Sequence, residues 1–153
     1  MPHDNATPAA TPATPAHSNL MSSTTALSIN EVADALTAAA KKHGYGVLSV
    51  RDLTETLISK GEKPKMQFRV YDVCKPHHAC DALGVDPAIV AILPCKIGAY
   101  ASMDGTGTKI VYVKPSACLH NASGANIDEM AAQVDKDMAE IVAEVAAATG
   151  AGK

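Results

Sequence analysis

Cys74, His77, His78 and Cys80 fall in one seven-residue run, Cys74-Lys75-Pro76-His77-His78-Ala79-Cys80, and Cys95 follows in Leu93-Pro94-Cys95. Three chemistries use residues of these types. The first is thiol redox or sulfur carriage by Cys74 and Cys95. The thiolate is the reactive form, and a helix N-terminus favours it through the free amides and the helix dipole. Cys74 stands two residues before Pro76, where a helix is expected to begin, so its thiol is expected to be activated. Cys95, after Pro94 at a strand start, is the expected resolving partner. No Cys-x-x-Cys motif is present.

The second chemistry is ligation of a transition metal or haem. Cysteine and histidine suit zinc, with bonds of about 2.0–2.3 Å. His77 and Cys80 are three apart and share a helix face. Haem needs an axial histidine or cysteine in an apolar pocket. The paired spacing of a structural zinc site is absent. The third reading is packing alone, since free cysteine behaves as a small buried hydrophobe. It is the expectation for Cys80 and Cys118, while Cys74 and Cys95 divide evenly between packing and chemistry. His77 and His78 are expected as exposed helix residues before ligands. Nothing resembles a serine-type triad, a phosphate loop or a paired-carboxylate site, and Gly44-Tyr45-Gly46 is too short to cradle phosphate.

These residues must be held by the elements around them. Ser28 and Glu31 form a capping box, with Leu27 and Val32 as a hydrophobic staple, so a helix is expected from Leu27 to His43 with Gly44 as its stop. Tyr45–Arg51 reads as a strand. Asp52 and Glu55 open a short helix to about Lys60. Met66–Val73 alternates as a strand that ends at Cys74. Pro76 suits the first turn of a helix running to Leu83, with Gly84 as its stop. Ala88–Leu93 is an apolar run. Cys95–Met103 and Lys109–Val113 form a hairpin about the turn Asp104-Gly105-Thr106-Gly107. Ile127–Thr149 is the longest helix, with Ile127, Met130, Val134, Met138, Ile141, Val142 and Val145 as its buried stripe. Asp128, Glu129, Asp135, Asp137, Glu140 and Glu144 are expected on a solvated acidic face. The order of elements argues for an α+β domain, an antiparallel sheet covered by helices on one side.

Residues 1–23 are rich in Pro, Ala and Thr and are expected to form a disordered tail, with a weak strand signal from Asn19 to Ala26. One domain then spans 24–149, and 150–153 is expected to fray. Of the 153 residues, 47% are hydrophobic and 3% aromatic, so the core must be built from Val, Ile, Leu and Met. The net charge is −3 and Lys41-Lys42 is the longest basic run, which argues against nucleic-acid binding. No apolar run reaches the roughly 18–20 residues of a membrane span. With no basic start and apolar block, no secretory signal is expected, and a cytoplasmic protein with reduced thiols is expected.

Gly44-Tyr45-Gly46-Val47-Leu48, then Cys74-Lys75-Pro76, then Leu93-Pro94-Cys95-Lys96 and the strand through Tyr100 resemble the domain-of-unknown-function 302 family over residues 24–119. Its members usually carry Cys-Asn-Pro and Pro-Cys-Arg or Pro-Cys-Asn, so Cys74, Pro76, Pro94 and Cys95 match and Lys75 and Lys96 depart. The resemblance implies a TATA-binding-protein-like fold of four to five strands, in the order β-α-β-β-β-β-α, often as a homodimer. It implies no activity. His77, His78 and Cys80 lie outside its motif. A thiol-based redox or sulfur-handling protein is therefore expected first, a haem- or metal-binding module second, and a structural dimer third.

Overall fold

The computed structural model describes residues 19–105, 107–119 and 125–149. The elements run β1 (Leu20–Thr25), α1 (Ile29–Lys42), β2 (Gly46–Asp52), α2 (Leu53–Ser59), β3 (Met66–Cys74), α3 (Pro76–Val85), a 3-10 turn (Pro87–Ile92), β4 (Cys95–Ser102), β5 (Thr108–Val113), α4 (Pro115–Leu119) and α5 (Ala125–Ala147). The five strands form one antiparallel sheet in the order β1-β5-β4-β3-β2. This is the α+β architecture expected, with the long C-terminal helix across the sheet.

The N-terminal boundary needs correction. β1 pairs residue by residue with β5, from Leu20↔Val113 to Thr25↔Thr108, so the domain begins before residue 24. The sequence signal was weak because β1 is held by its partner strand and by a tie to α5: the Thr25 hydroxyl donates to the Val145 carbonyl at 3.1 Å. The rest of the expected tail, residues 1–18, and the expected frayed end, 150–153, lie outside the described residues.

One face of the sheet carries the core. Tyr71 and Val73 of β3, Ile97 and Ala99 of β4 and Ile110 and Tyr112 of β5 point to it, and α1 and α5 close it with Val32, Leu36, Met138, Ile141 and Val145. The register requires this arrangement, because Tyr71 stands opposite Ile97 and Ile97 opposite Tyr112. Phe68, Val70, Tyr100 and Val111 alternate to the other face, where they are half-buried. A salt-bridged group lies there too: Asp72 accepts from Ser49 at 2.6 Å, from Arg51 at 3.1 Å and from Lys96 at 3.1 Å. The Ser49 hydrogen bond, with help from Lys96 and Arg51, holds the Asp72 carboxyl below its usual range.

Candidate functional site

The site begins at the end of α1. His43 caps that helix, the Gly44 amide donates to the Lys41 carbonyl at 3.1 Å, and the Tyr45 amide donates to the Ala40 carbonyl at 2.9 Å. Gly44 takes φ of 81°, the left-handed conformation this Schellman turn requires, and a Cβ there would sit 3.3 Å from Lys75 Cε. Glycine thus both ends the helix and lets Lys75 approach. The turn drops the Tyr45 ring into the core, 5% exposed.

Tyr45 then meets α5. Its hydroxyl donates to Asp137 Oδ2 at 2.9 Å, Gln133 Nε2 donates to Asp137 Oδ1 at 2.9 Å, and Lys75 Nζ lies 4.0 Å from Oδ2. Lys75 Nζ also stands 5.5 Å from the centroid of the Tyr45 ring. Asp137 is only 5% exposed, so its expected place on a solvated face is corrected. It lies three residues after Val134 and four before Ile141, within the buried stripe by spacing. A charge at such a position is held by partners from other elements, which the helix pattern does not contain. Burial first, then the Asp137 bond, pushes the Tyr45 hydroxyl pKa far above its ordinary value.

Beside Tyr45, β3 ends and β4 begins. Val73 pairs with Cys95, so the Cys74 and Cys95 Cα atoms stand within about 10 Å of each other. Both residues line a small inner cavity of about 50 Å³, together with Tyr45, Lys75, His78 and Leu93. An apolar cleft of about 260 Å³ opens on the outer side, lined by Ile92, Leu93, Cys95, Val113, Cys118 and Leu119. Pro94 follows a cis peptide bond and also lines the cleft, next to Cys95. Cys95 therefore belongs to the walls of both spaces.

Burial disfavours the thiolate at both Cys74 and Cys95. Burial raises the Cys74 pKa, which corrects the expectation that a helix start would lower it. Pro76 is the first residue of α3 and Lys75 is its N-cap without a side-chain hydrogen bond, so Cys74 stands one residue outside the cap, and desolvation is what shifts its thiol. Cys95 is pushed up to about 11, by burial first and then by Cys118, Cys74 and Asp135, against the opposing effect of Lys96.

The histidines diverge. α3 continues through Gly84 to Val85, beyond the expected stop. His78 turns to the inner cavity, where its buried Nδ1 has no hydrogen-bond partner among the described residues. Burial and then Lys75 lower its pKa. His77 is exposed and stands 3.4 Å from Asp81. Cys80 is exposed on an open groove. Cys118 is exposed as well, so the packing expectation for Cys80 and Cys118 is corrected. Among the described residues, the one group of three or more possible metal ligands with all donor atoms within 4.8 Å is His43, Asp137 and Glu140. The Cys74, His77, His78, Cys80 and Cys95 set does not converge in this way, because His77 and Cys80 leave the cavity on the outer face of α3.

A one-sided antiparallel sheet with two half-buried thiols at a strand junction and an apolar cleft beside them defines a small α+β domain with a cavity at one end of its inner strands. The family model "Domain of unknown function DUF302" matches residues 21–145, and the chain belongs to that family. A solved structure of an uncharacterized conserved protein DUF302 from Bacillus stearothermophilus is 28% identical and superposes with a TM-score of 0.76, covering 83% of this chain and 98% of that one. No curated protein matches the chain. No helix among the described residues is long and apolar enough to cross a membrane.

Proposed function

We propose that the domain is a binding module for a small, mainly apolar, sulfur-bearing ligand, held in the outer cleft against the protonated thiol of Cys95. The observation that carries this reading is the place of Cys95 in the walls of both the 260 Å³ cleft and the inner cavity. The cleft is near the lower end of the roughly 300–1,000 Å³ found for ligand sites, and its lining is mostly apolar with few polar groups. A thiol with a pKa of about 11 is neutral at physiological pH, so it contacts a ligand without the cost of burying a charge.

A redox or sulfur-handling pair, Cys74 with Cys95, is the second reading, supported by their shared cavity. The raised pKa values of both thiols oppose fast exchange, because little thiolate is present to attack. Haem or a transition metal on the Cys/His cluster has less support. The inner cavity is about 50 Å³ and the candidate ligands diverge.

The test uses thiophene, butanethiol and cyclohexane as probes of the full chain, with backbone amide shifts as the readout. The expected result is saturable shifts at Ile92, Val113 and Cys118, with the two sulfur probes weakened several-fold by Cys95→Ser and all three excluded by Leu119→Trp. Shifts that are absent, or that Cys95→Ser leaves unchanged, would remove this reading. A Soret band in the purified protein would turn the assignment to haem.

A further inference from the structure

We propose a divalent-cation site of the zinc class at the junction of α1 and α5, with His43 Nδ1, one oxygen of Asp137 and one oxygen of Glu140 as its protein ligands. The donor atoms of these three residues already lie within 4.8 Å of one another. Donors about 2.1 Å from a tetrahedral zinc ion stand roughly 3.4 Å apart. His43 Nδ1 lies 3.6 Å from Glu140 Oε1, close to that edge length.

The second observation is the other side of the histidine ring. His43 Nε2 is 3.0 Å from Glu144 Oε2. A neutral imidazole has one N–H. With that hydrogen donated to Glu144, Nδ1 keeps its lone pair and faces the Glu140 carboxylate, itself a bearer of lone pairs. Two acceptors directed at each other repel unless a proton on Nδ1 or a metal ion stands between them, and the metal ion takes the place of that proton. A carboxylate that fixes the distal N–H of a ligand histidine is the usual outer support of such sites. Lys42 Nζ binds the other oxygen of Glu144 at 3.0 Å and holds it in place.

Asp137 is supported in the same manner. It is 5% exposed, with Gln133 on Oδ1 and Tyr45 on Oδ2, and each oxygen retains a second lone pair for a metal. The cations and titratable groups around the site are Lys42 and His43 from the end of α1, Tyr45 from the turn after it, Lys75 from the start of α3, and Asp137, Glu140 and Glu144 from α5. Lys75, 4.0 Å from Asp137 Oδ2, opposes a metal ion by charge. The donor set of one nitrogen and two oxygens leaves a position open for water or a small anion. This site is separate from the Cys95 cleft and does not rest on the reading of that cleft.

The test is titration of the full chain with cobalt(II), a spectroscopic stand-in for zinc. The expected result is one ion per chain without a sulfur-to-cobalt charge-transfer band. Affinity should fall about tenfold or more in Glu140→Gln and in Glu144→Gln, in line with losses seen when ligand or outer-shell carboxylates are removed. Lys75→Met should bind more tightly than the parent. Both glutamates are at least partly exposed, so these variants keep the fold. A sulfur-to-cobalt band, parent-like affinity in Glu140→Gln, or no cobalt uptake by the parent would each overturn the site.

Discussion

Tyr45 and Asp137, 92 positions apart, are joined by a 2.9 Å hydrogen bond in which the phenol donates and the carboxylate accepts. The bond fastens the turn after α1 to the middle of α5, at the end of the sheet where β3 and β4 bring Cys74 and Cys95 together. It also forms the common wall of two features: the Tyr45 ring lines the inner cavity, and the Asp137 carboxylate faces His43 and Glu140.

Tyr45→Phe keeps the ring and removes the donor. Asp137 retains Gln133 and Lys75, so the variant should fold and lose about 1–2 kcal/mol, the cost of leaving a buried acceptor short of one partner. Urea unfolding followed by circular dichroism measures this. A midpoint equal to the parent's would show that the bond contributes nothing to stability.

The four thiols should separate by accessibility and acidity. Cys80 and Cys118 are exposed, whereas Cys74 and Cys95 are partly buried with raised pKa values. At pH 8 a thiol with a pKa of about 11 is roughly one part in a thousand thiolate. Peptide mapping after brief iodoacetamide treatment should find Cys80 and Cys118 labelled first and Cys95 last. Early labelling of Cys95 would return the thiol-pair reading to first place.

Much of this fold is legible in local sequence. Ser28 and Glu31 make the expected capping box, with the Ser28 amide donating to Glu31 Oε1 at 2.8 Å, and Gly44 makes the expected stop. The hairpin of β4 and β5 follows from its turn residues. Cys74 and Cys95 could be singled out because each adjoins a proline motif at a strand end. Asp137 and His43 could not, because their meaning comes from contacts between helices. The spacing Val134, Asp137, Ile141 was the available signal, a charge inside an apolar stripe. β1 was faint because its Ser and Thr residues become a strand only by pairing with β5. Cys74 is less acidic than its place before a helix implies, because a helix start is visible in sequence and desolvation is not.

If two copies of the chain associate, the face of the sheet opposite the core is the surface to test. Phe68, Val70, Tyr100 and Val111 stand together there, half-buried, with Arg51, Lys96 and Asp72 at their margin. Both charge signs are present at that margin, so a second copy related by a two-fold axis can meet it with opposite charges. Light scattering on a sizing column should give twice the chain mass for the parent and the chain mass for Val111→Lys, with the variant still folded by circular dichroism. A parent that runs at 15.8 kDa, the mass of one chain, would rule out this interface.

Alkaline stability tests the buried hydroxyl and thiol together. Tyr71 is fully buried and its hydroxyl has no partner among the described residues. Burial raises its pKa from 10.0 to about 12, the nearby Arg69 acting in the opposite direction. Cys95 is raised from 9.0 to about 11. In both cases the folded chain holds its proton more tightly than the unfolded chain. Above pH 9 the unfolded state releases protons that the folded state retains, so unfolding becomes easier as pH rises. The contribution is therefore fully present below pH 9 and lost progressively up to about pH 12, at roughly 3 kcal/mol for each group. The urea midpoint should be level near neutrality and decline across that window. Cys95→Ser should make the early part of the decline shallower, between pH 9 and about 11, and Tyr71→Phe the later part, between pH 10 and about 12, while Cys74, Tyr45 and Tyr112, whose pKa values burial also raises, carry the remainder in both variants. Tyr71→Phe should also be about 1 kcal/mol more stable than the parent at pH 7, because a buried hydroxyl without a partner costs more than the methine that replaces it. A Tyr71→Phe protein that is less stable at pH 7 and follows the parent's alkaline curve would show that the hydroxyl is satisfied, and that burial does not control its acidity.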